Sequence, residues 1–435
     1  MTPNNVSSEP FKVAIAGLGT VGGGTVKVLQ DHADVIAKRC GRPVVISAVS
    51  ALSKDGLDFD VSGFQWFGDA VDMAQNSDAD LLVELIGGSG GIAKTVVETA
   101  LAAGRHVVTA NKALIAHHGA ALDKLATVNG VSLNFEAAVA GGIPVIKSIR
   151  ESLAGNHITK VQGILNGTCN YILTTMREEG RDFADVLKDA QDLGYAESDP
   201  TFDIEGVDAA HKLAILASVA FGVEINFKDV HVEGITHVSA VDIQFAEELG
   251  YRIKLLGVAS RHNGTVEQRV HPTMVPLSAP ISQVEGVFNS VVIDGDAIDT
   301  LVLVGRGAGE LPTASAVVGD ICDIARGVFI PTFSVPVAEL KSVPTRSMNE
   351  HVGAYYVRLM LVDAPGVFAD VTAALRDHSV SMESMIQRVR EPGEPVPVVL
   401  TTHETSEANM MAALEAIAAL DMVAEPPRMI RIENT

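Results

Sequence analysis

The sequence predicts an α/β chain in three parts: a parallel sheet with helices on both faces, an α+β unit, and a small ferredoxin-like unit at the C-terminus. Three observations carry that expectation. Short β-branched runs alternate with longer Ala-rich ones over residues 11–139, helices and then strand-like runs follow, and the chain beyond 352 reads strand, helix, strand, strand, helix, strand. At 435 residues the chain also exceeds what one hydrophobic core serves.

In the first part KVAIAG, PVVISAV, ADLLVELI, HVVTA and VSLNFEA are the expected strands, with helices starting at Thr20, Gly91 and Ala113. Strands separated by helices pair in parallel, which leaves both faces of the sheet covered. After GGIP at 141–144 the texture changes to three or four successive helices reaching Gly222. Runs centred on KLLGVAS, TVEQRVHP, NSVVIDG and IDTLVLV then predict a mostly antiparallel sheet. GRGAGELPTASAVVGDICDIARG reads as a glycine turn opening a helix that returns to the first part. PTFSVPVAELKSVPTRSMNEHV, with three prolines and little periodicity, is the expected linker. The expected domains are therefore 1–140 with a return segment at about 310–340, 141–309, and 353–435, with 330–352 as linker.

Composition narrows the function. The 54 acidic against 32 basic residues give a formal charge of −22, which repels phosphate backbones and anionic lipid surfaces, so neither nucleic acid nor membrane is an expected partner. Cys40, Cys169 and Cys322 are odd in number and widely spaced, unlike a disulfide framework or a CxxC metal site. MTPNNVSSEP reads as a loose tail rather than a secretory signal, and no apolar run has the length of a membrane span. A cytoplasmic enzyme or regulator is expected.

GLGTVG at 17–22 matches G-x-G-x-x-G directly after a strand and before a helix. Glycines there permit a tight turn and close backbone approach, so a pyrophosphate rests on the helix N-terminus of a Rossmann-type sheet. The second strand ends at AVSALSKDG without an acid for the ribose hydroxyls or an arginine for a 2′-phosphate at Ser50–Leu52. Lys54 suits a phosphate and Asp55 a ribose, which leaves NAD and NADP both open.

DIEGVDAAHKLAIL at 203–216 looks helical from Glu205 and carries Lys212 into an apolar run. A charge buried alone is costly, and Asp208 lies one turn earlier on the same face. A solvated i,i+4 ion pair is the alternative reading.

VAIAGLGTVGGGTV, VELIGG, VTANK, FEAAVAGGIPVI, GILNGTCNYIL, LGYAESDPTFDIEGVDAAHKL and GAGELPTASAV, in that order over residues 11–340, resemble homoserine dehydrogenase. DAPGVFADV at 363–371 resembles an ACT domain. The resemblance implies an α+β catalytic and dimerisation domain, a C-terminal ACT regulatory domain, and reversible NAD(P)-dependent oxidation of L-homoserine to L-aspartate 4-semialdehyde. It makes Lys212 the proton-transfer base, and an apolar site would lower its pKa. Asp208 directs the amine and touches substrate, Lys112 reaches cofactor and substrate, and Glu197 receives the substrate's α-ammonium group. Gly17, Leu18, Gly19, Thr20, Val21, Gly22, Ser89, Lys112, Gly194 and Gly309 are the implied cofactor contacts, although GGSGG around Ser89 replaces a turn that more usually contains proline. Asp203 partners a neighbour or caps a helix, and the cap is preferred.

The same resemblance implies a monovalent cation, sodium, held by Glu136 and the carbonyls of Val139, Gly141 and Ile143. Read from its residues alone, FEAAVAGGIP is a glycine hinge. Asp363, Pro365 and Gly366 match the turn where ACT domains bind amino acids across a domain pair, which implies a homodimer or homotetramer and feedback by L-threonine. Two other readings remain: an aspartate-semialdehyde dehydrogenase-like enzyme using Cys169, and a non-catalytic Rossmann–ACT sensor. NGTCNYIL has no histidine beside the thiol, and a sensor has no need of a proton-transfer pair.

Overall fold

The computed structural model describes residues 9–433, so residues 1–8 of the expected loose tail lie outside it. The first part runs β1 (Phe11–Ala16), α1 (Thr20–Asp31), α2 (Ala33–Cys40), β2 (Val44–Ser50), β3 (Gln65–Phe67), α3 (Ala70–Asn76), β4 (Leu81–Glu84), α4 (Gly91–Ala102), β5 (His106–Thr109), α5 (Lys112–Val128) and β6 (Leu133–Asn134). The six strands lie parallel in the order β3-β2-β1-β4-β5-β6. Strand order reverses between β1 and β4, which opens a crevice at their carboxyl ends. Every residue of β4 is buried, as expected of a strand covered on both faces.

The middle part runs α6 (Val145–Lys147), β7 (Ile158–Ile164), α7 (Gly167–Glu179), α8 (Phe183–Asp192), α9 (Thr201–Ile204), α10 (Val207–Phe221), β8 (His231–Val232), α11 (Ala240–Glu248), β9 (Tyr251–His262), β10 (Thr265–Pro276), β11 (Phe288–Gly295) and β12 (Asp299–Arg306). Here the expected unbroken succession of helices is corrected by β7. ITKVQGI places Ile158, Val161 and Ile164 at a spacing of three that imitates a helix, yet it pairs antiparallel with β9 and β11. Gly163 makes the pairing possible, because a Cβ there would lie 2.5 Å from the Ser290 carbonyl oxygen.

The chain then returns through α12 (Glu310–Ala325), which packs along α1: a Cβ on Gly24 would lie 2.8 Å from Cγ of Glu310. The last part is β13 (Val352–Val362), α13 (Val367–Asp377), β14 (Met382–Gln387), β15 (Pro395–Thr402), β16 (Thr405–Ser406), α14 (Glu407–Ala418) and β17 (Val423–Ile432).

The C-terminal unit is not a separate sheet. β17 runs parallel to β10 through Thr273–Arg431 and Met274–Ile432, so an eleven-stranded sheet runs β12-β11-β7-β9-β10-β17-β13-β15-β14, with β8 on β10 and β16 on β13. Nor is the segment 330–352 a loose linker. Bridges join Lys341 to Val223 and Thr345 to Val266, and Phe333 is fully buried. Ion pairs seal the seam: Glu433 takes Lys160 at 2.5 Å and also Arg269, which is itself 3.1 Å from Glu267.

Removal of residues 350–435 would bare the β10 edge and leave buried charges without partners, at about 3–5 kcal/mol for each broken buried pair. The shortened protein is expected to lose soluble yield and to melt well below the full chain in calorimetry. An unchanged Tm would show that the shared sheet contributes nothing to stability.

Candidate active site

α10 is buried on almost every side, from Asp208 to Val219, and starts at Gly206 with φ +81. The helix expected from Glu205 is α10 and starts two residues later, at Val207, after the short α9 has ended at Ile204. Lys212, 9% exposed, donates from Nζ to the Leu165 carbonyl and to Asp208 Oδ2, both at 2.7 Å. Asp208, 3% exposed, takes Lys112 Nζ on its other oxygen at 2.8 Å. A solvated surface pair is excluded, and so is a purely apolar surrounding for Lys212, whose ammonium has two oxygen acceptors.

Asn166 completes the arrangement. Its Nδ2 donates to Asp208 Oδ2 at 2.9 Å and to Asp203 Oδ1 at 2.8 Å, while its Oδ1 accepts the Cys169 N–H and caps α7. Asp203 therefore partners a neighbour instead of capping α10, a correction of the preferred reading. Burial opposes ionisation of Asp208, but the Lys212 and Lys112 ammonium groups outweigh it and hold the carboxyl well below the usual range. Burial likewise depresses Lys112, but Asp208 foremost, then Asp203 and Glu197, raise it above the ordinary value.

Lys112 opens α5 at the carboxyl end of β5, on the crevice side of the sheet. Asn111 caps that helix and donates to the Gly88 carbonyl at 2.7 Å, which ties it to the turn after β4. Buried Glu84 holds the same turn, accepting from the N–H groups of Ile86 and Gly87 and from Thr109 Oγ1. Ser89 follows on this turn and is exposed.

In the glycine loop Gly17 has φ +98, and a Cβ there would meet the Leu85 carbonyl at 2.5 Å. Gly22 faces the Gly17 carbonyl as closely, whereas Gly19 opens onto free space at an N-terminus of α1 that no side chain caps. Leu18 is buried, Val21 half-buried and Thr20 exposed. Gly309, φ +128, starts α12 beside α1 through the Gly24–Glu310 contact.

Gly194 and Glu197 lie exposed on the loop between α8 and α9. Thr168 Oγ1 ties that loop to α7 by donating to the Tyr195 carbonyl at 2.7 Å. The structure thus bonds Lys112, Asp208 and Lys212 directly and brings Glu197 within electrostatic reach of Lys112. Sequence reasoning missed Asn166, the Leu165 carbonyl and His211. The His211 ring stacks 4.1 Å from Phe227, its Nε2 is 3.3 Å from that of His117, and burial lowers its pKa to about 4.

Cys169 is fully buried with its thiol directed to the Asp203 carbonyl at 3.2 Å, and burial pushes that thiol well up. It is not poised as a nucleophile. Glu136, 2% exposed, accepts from the Ile146 and Lys147 N–H groups at 2.9 and 2.8 Å. Burial, and then Asp320, push it up to about 8. In the C-terminal unit Asp363 follows β13, Pro365 is exposed, and Gly366, φ +95, opens α13 without a side-chain cap.

Residues 144–322 match the family described as Homoserine dehydrogenase, 17–136 its NAD binding domain, and 355–419 the ACT domain. Homoserine dehydrogenases of Neisseria gonorrhoeae and Pseudomonas aeruginosa are each 45% identical over 98% of this chain and 99% of their own length. A crystal structure of a homoserine dehydrogenase from Thiobacillus denitrificans superposes with a TM-score of 0.92 at 44% identity, covering 98% of this chain and 99% of that one. A hyperthermophilic archaeal homoserine dehydrogenase in complex with NADPH matches 74% of this chain and all of its own, with a TM-score of 0.63 at 27% identity. By sequence along nearly its whole length and by fold, the chain belongs to the homoserine dehydrogenase family, as a member with a C-terminal ACT domain.

Proposed function

We propose that Lys212 moves the proton in the interconversion of L-homoserine and L-aspartate 4-semialdehyde, that Asp208 aims it, and that Lys112 and Glu197 bind substrate. The observation that carries this reading is one buried carboxylate bonded to two lysines at the mouth of the sheet crevice. An ammonium has three N–H groups. Two of those on Lys212 go to Leu165 and Asp208, which leaves one for the C4 oxygen of the aldehyde. NAD(P)H supplies hydride to C4 when bound. Lys212 then gives its proton to the oxygen as the alcohol forms, and in the oxidative direction a neutral Lys212 takes it back. Glu197, exposed on its loop, meets the α-ammonium group, and Asp208 and Lys112 complete the polar lining.

Gly17, Leu18, Gly19, Thr20, Val21 and Gly22 suit the cofactor's pyrophosphate, with Ser89, Lys112, Gly194 and Gly309 at the sides. No acid stands at the end of β2, and Lys54, whose Nζ lies 4.9 Å above the Trp66 ring, is the cation there that would turn to a 2′-phosphate, so NADP is proposed over NAD. Glu136 and the carbonyls of Val139, Gly141 and Ile143, on a loop turned by positive φ at Ala140 and Gly141, are the oxygens that would hold a monovalent cation, whose charge would offset the burial that pushes Glu136 up. Sodium in a structural role is the proposed cation, since a lysine would already handle the proton. Three free thiols among the described residues agree with a cytoplasmic setting.

For regulation, Oδ2 of Asp363 is buried without a partner among the described residues, next to the uncapped N-terminus of α13. An amino-acid zwitterion fits that pair, ammonium on carboxylate and carboxylate on helix N-terminus. L-Threonine is the proposed effector. Pairing of ACT domains would make a homodimer or homotetramer, and β14, the edge strand of the sheet on the ACT side, is available for it.

Initial rates and one melting experiment test these assignments. Lys212→Met is expected to lower kcat by about 10²–10⁴-fold with NADPH binding intact; near-normal kcat would remove Lys212 from the chemistry. In the wild type, kcat/KM is expected to be higher with NADP, and a preference for NAD would discount Lys54. Threonine is expected to inhibit the wild type but not Asp363→Ala, and inhibition that persists in the variant places the effector elsewhere. Exchange of sodium for tetramethylammonium is expected to lower Tm, and no change argues against a bound cation.

A further inference from the structure

We infer that Arg431, in the last strand of the C-terminal domain, is a positioning residue for the helix that carries Asp208 and Lys212. Its side chain is buried and grips two carboxylates. Nε and Nη2 hold Glu407 of α14, the former at 2.8 Å, while Nη1 and Nη2 take Glu233 at 3.0 and 2.8 Å. Glu233 directly follows β8, and its N–H donates to the Val270 carbonyl at 2.8 Å.

The next residues press on the junction between α9 and α10. A Cβ on Gly234 would lie 2.7 Å from Cα of Glu205, and the Ile235 N–H donates to the Ile204 carbonyl at 2.9 Å. Gly206, which starts α10, lies so close to Val232 and Val270 that a Cβ on it would sit 3.2 Å from Cγ1 of each. Asp203 lies just before Ile204, Asp208 just after Gly206, and Asn166 joins the two carboxylates. A continuous set of contacts therefore runs from Arg431 through the turn at 233–235 to the two helix ends that set Asp208.

A guanidinium fork fixes the plane of a carboxylate, whereas a point charge only neutralises it. The C-terminal domain accordingly supports basal turnover, besides any response to an effector. This inference rests on the assignment of Asp208 and Lys212 to proton transfer. Lys212→Met measured alongside separates the two: a fully active Lys212→Met defeats that assignment whatever Arg431 does.

The test compares full-length Arg431→Met, Arg431→Lys and Glu233→Gln by steady-state kinetics with homoserine and by fluorescence titration of NADPH. Misplacement of Asp208 is expected to lower kcat by about tenfold or more in Arg431→Met and about fivefold in Glu233→Gln, with NADPH affinity unchanged. Arg431→Lys, which keeps the charge but not the fork, should recover only part of the loss. If Arg431→Met does not fold, Glu233→Gln carries the test, because it is isosteric and leaves the Arg431–Glu407 pair in place. Wild-type kcat in folded Glu233→Gln overturns the inference, as does loss of NADPH binding in step with kcat.

Discussion

The carboxylate of Asp208 is the constraint on which the site depends. It is buried, ionised and shared by Lys112 from α5, Lys212 from its own helix and Asn166 from the start of α7. Two cations and an amide compensate a charge that would otherwise be costly to bury. Because the three partners come from separate elements, satisfying this one group brings the end of the parallel sheet against the helices of the second domain. The same geometry leaves one N–H of Lys212 uncommitted, so one side chain would make both the stabilising contact and the proposed proton-transfer contact.

The surrounding backbone serves that alignment. Glu84 and Asn111 tie together the turns after β4 and β5, so Lys112 leaves the sheet from a fixed point. On the far side, β17 joins β10, and buried arginines paired with Glu233, Glu407 and Glu433 close the seam. The C-terminal unit is an extension of the catalytic sheet, and its last strand ends within a few residues of contacts that reach α10.

Much of this was legible in the sequence because it is written locally. Strand–helix alternation, the glycine loop and the Asp208–Lys212 spacing each depend on neighbours within a turn or two, and the motifs matching homoserine dehydrogenase tied them to a reaction. What escaped is non-local or disguised. ITKVQGI carries a helical spacing of apolar residues and becomes a strand only because β9 and β11 flank it. Asp203 precedes a helix as a cap would, but Asn166, 37 residues earlier, claims its oxygen. Nothing near Arg431 announces that it pairs with Glu233, 198 positions away, or that β17 extends a sheet begun in the middle of the chain.

The most direct measurement of the central claim is the rate of aldehyde reduction by Asp208→Asn at saturating NADPH, with NADPH affinity measured on the same protein. Asparagine keeps the shape but gives up the charge that holds both lysines, so kcat is expected to fall about 10²-fold or more, far more than any change in NADPH affinity that follows from release of Lys112. A variant that binds NADPH normally and reduces the aldehyde at close to the wild-type rate would contradict the account.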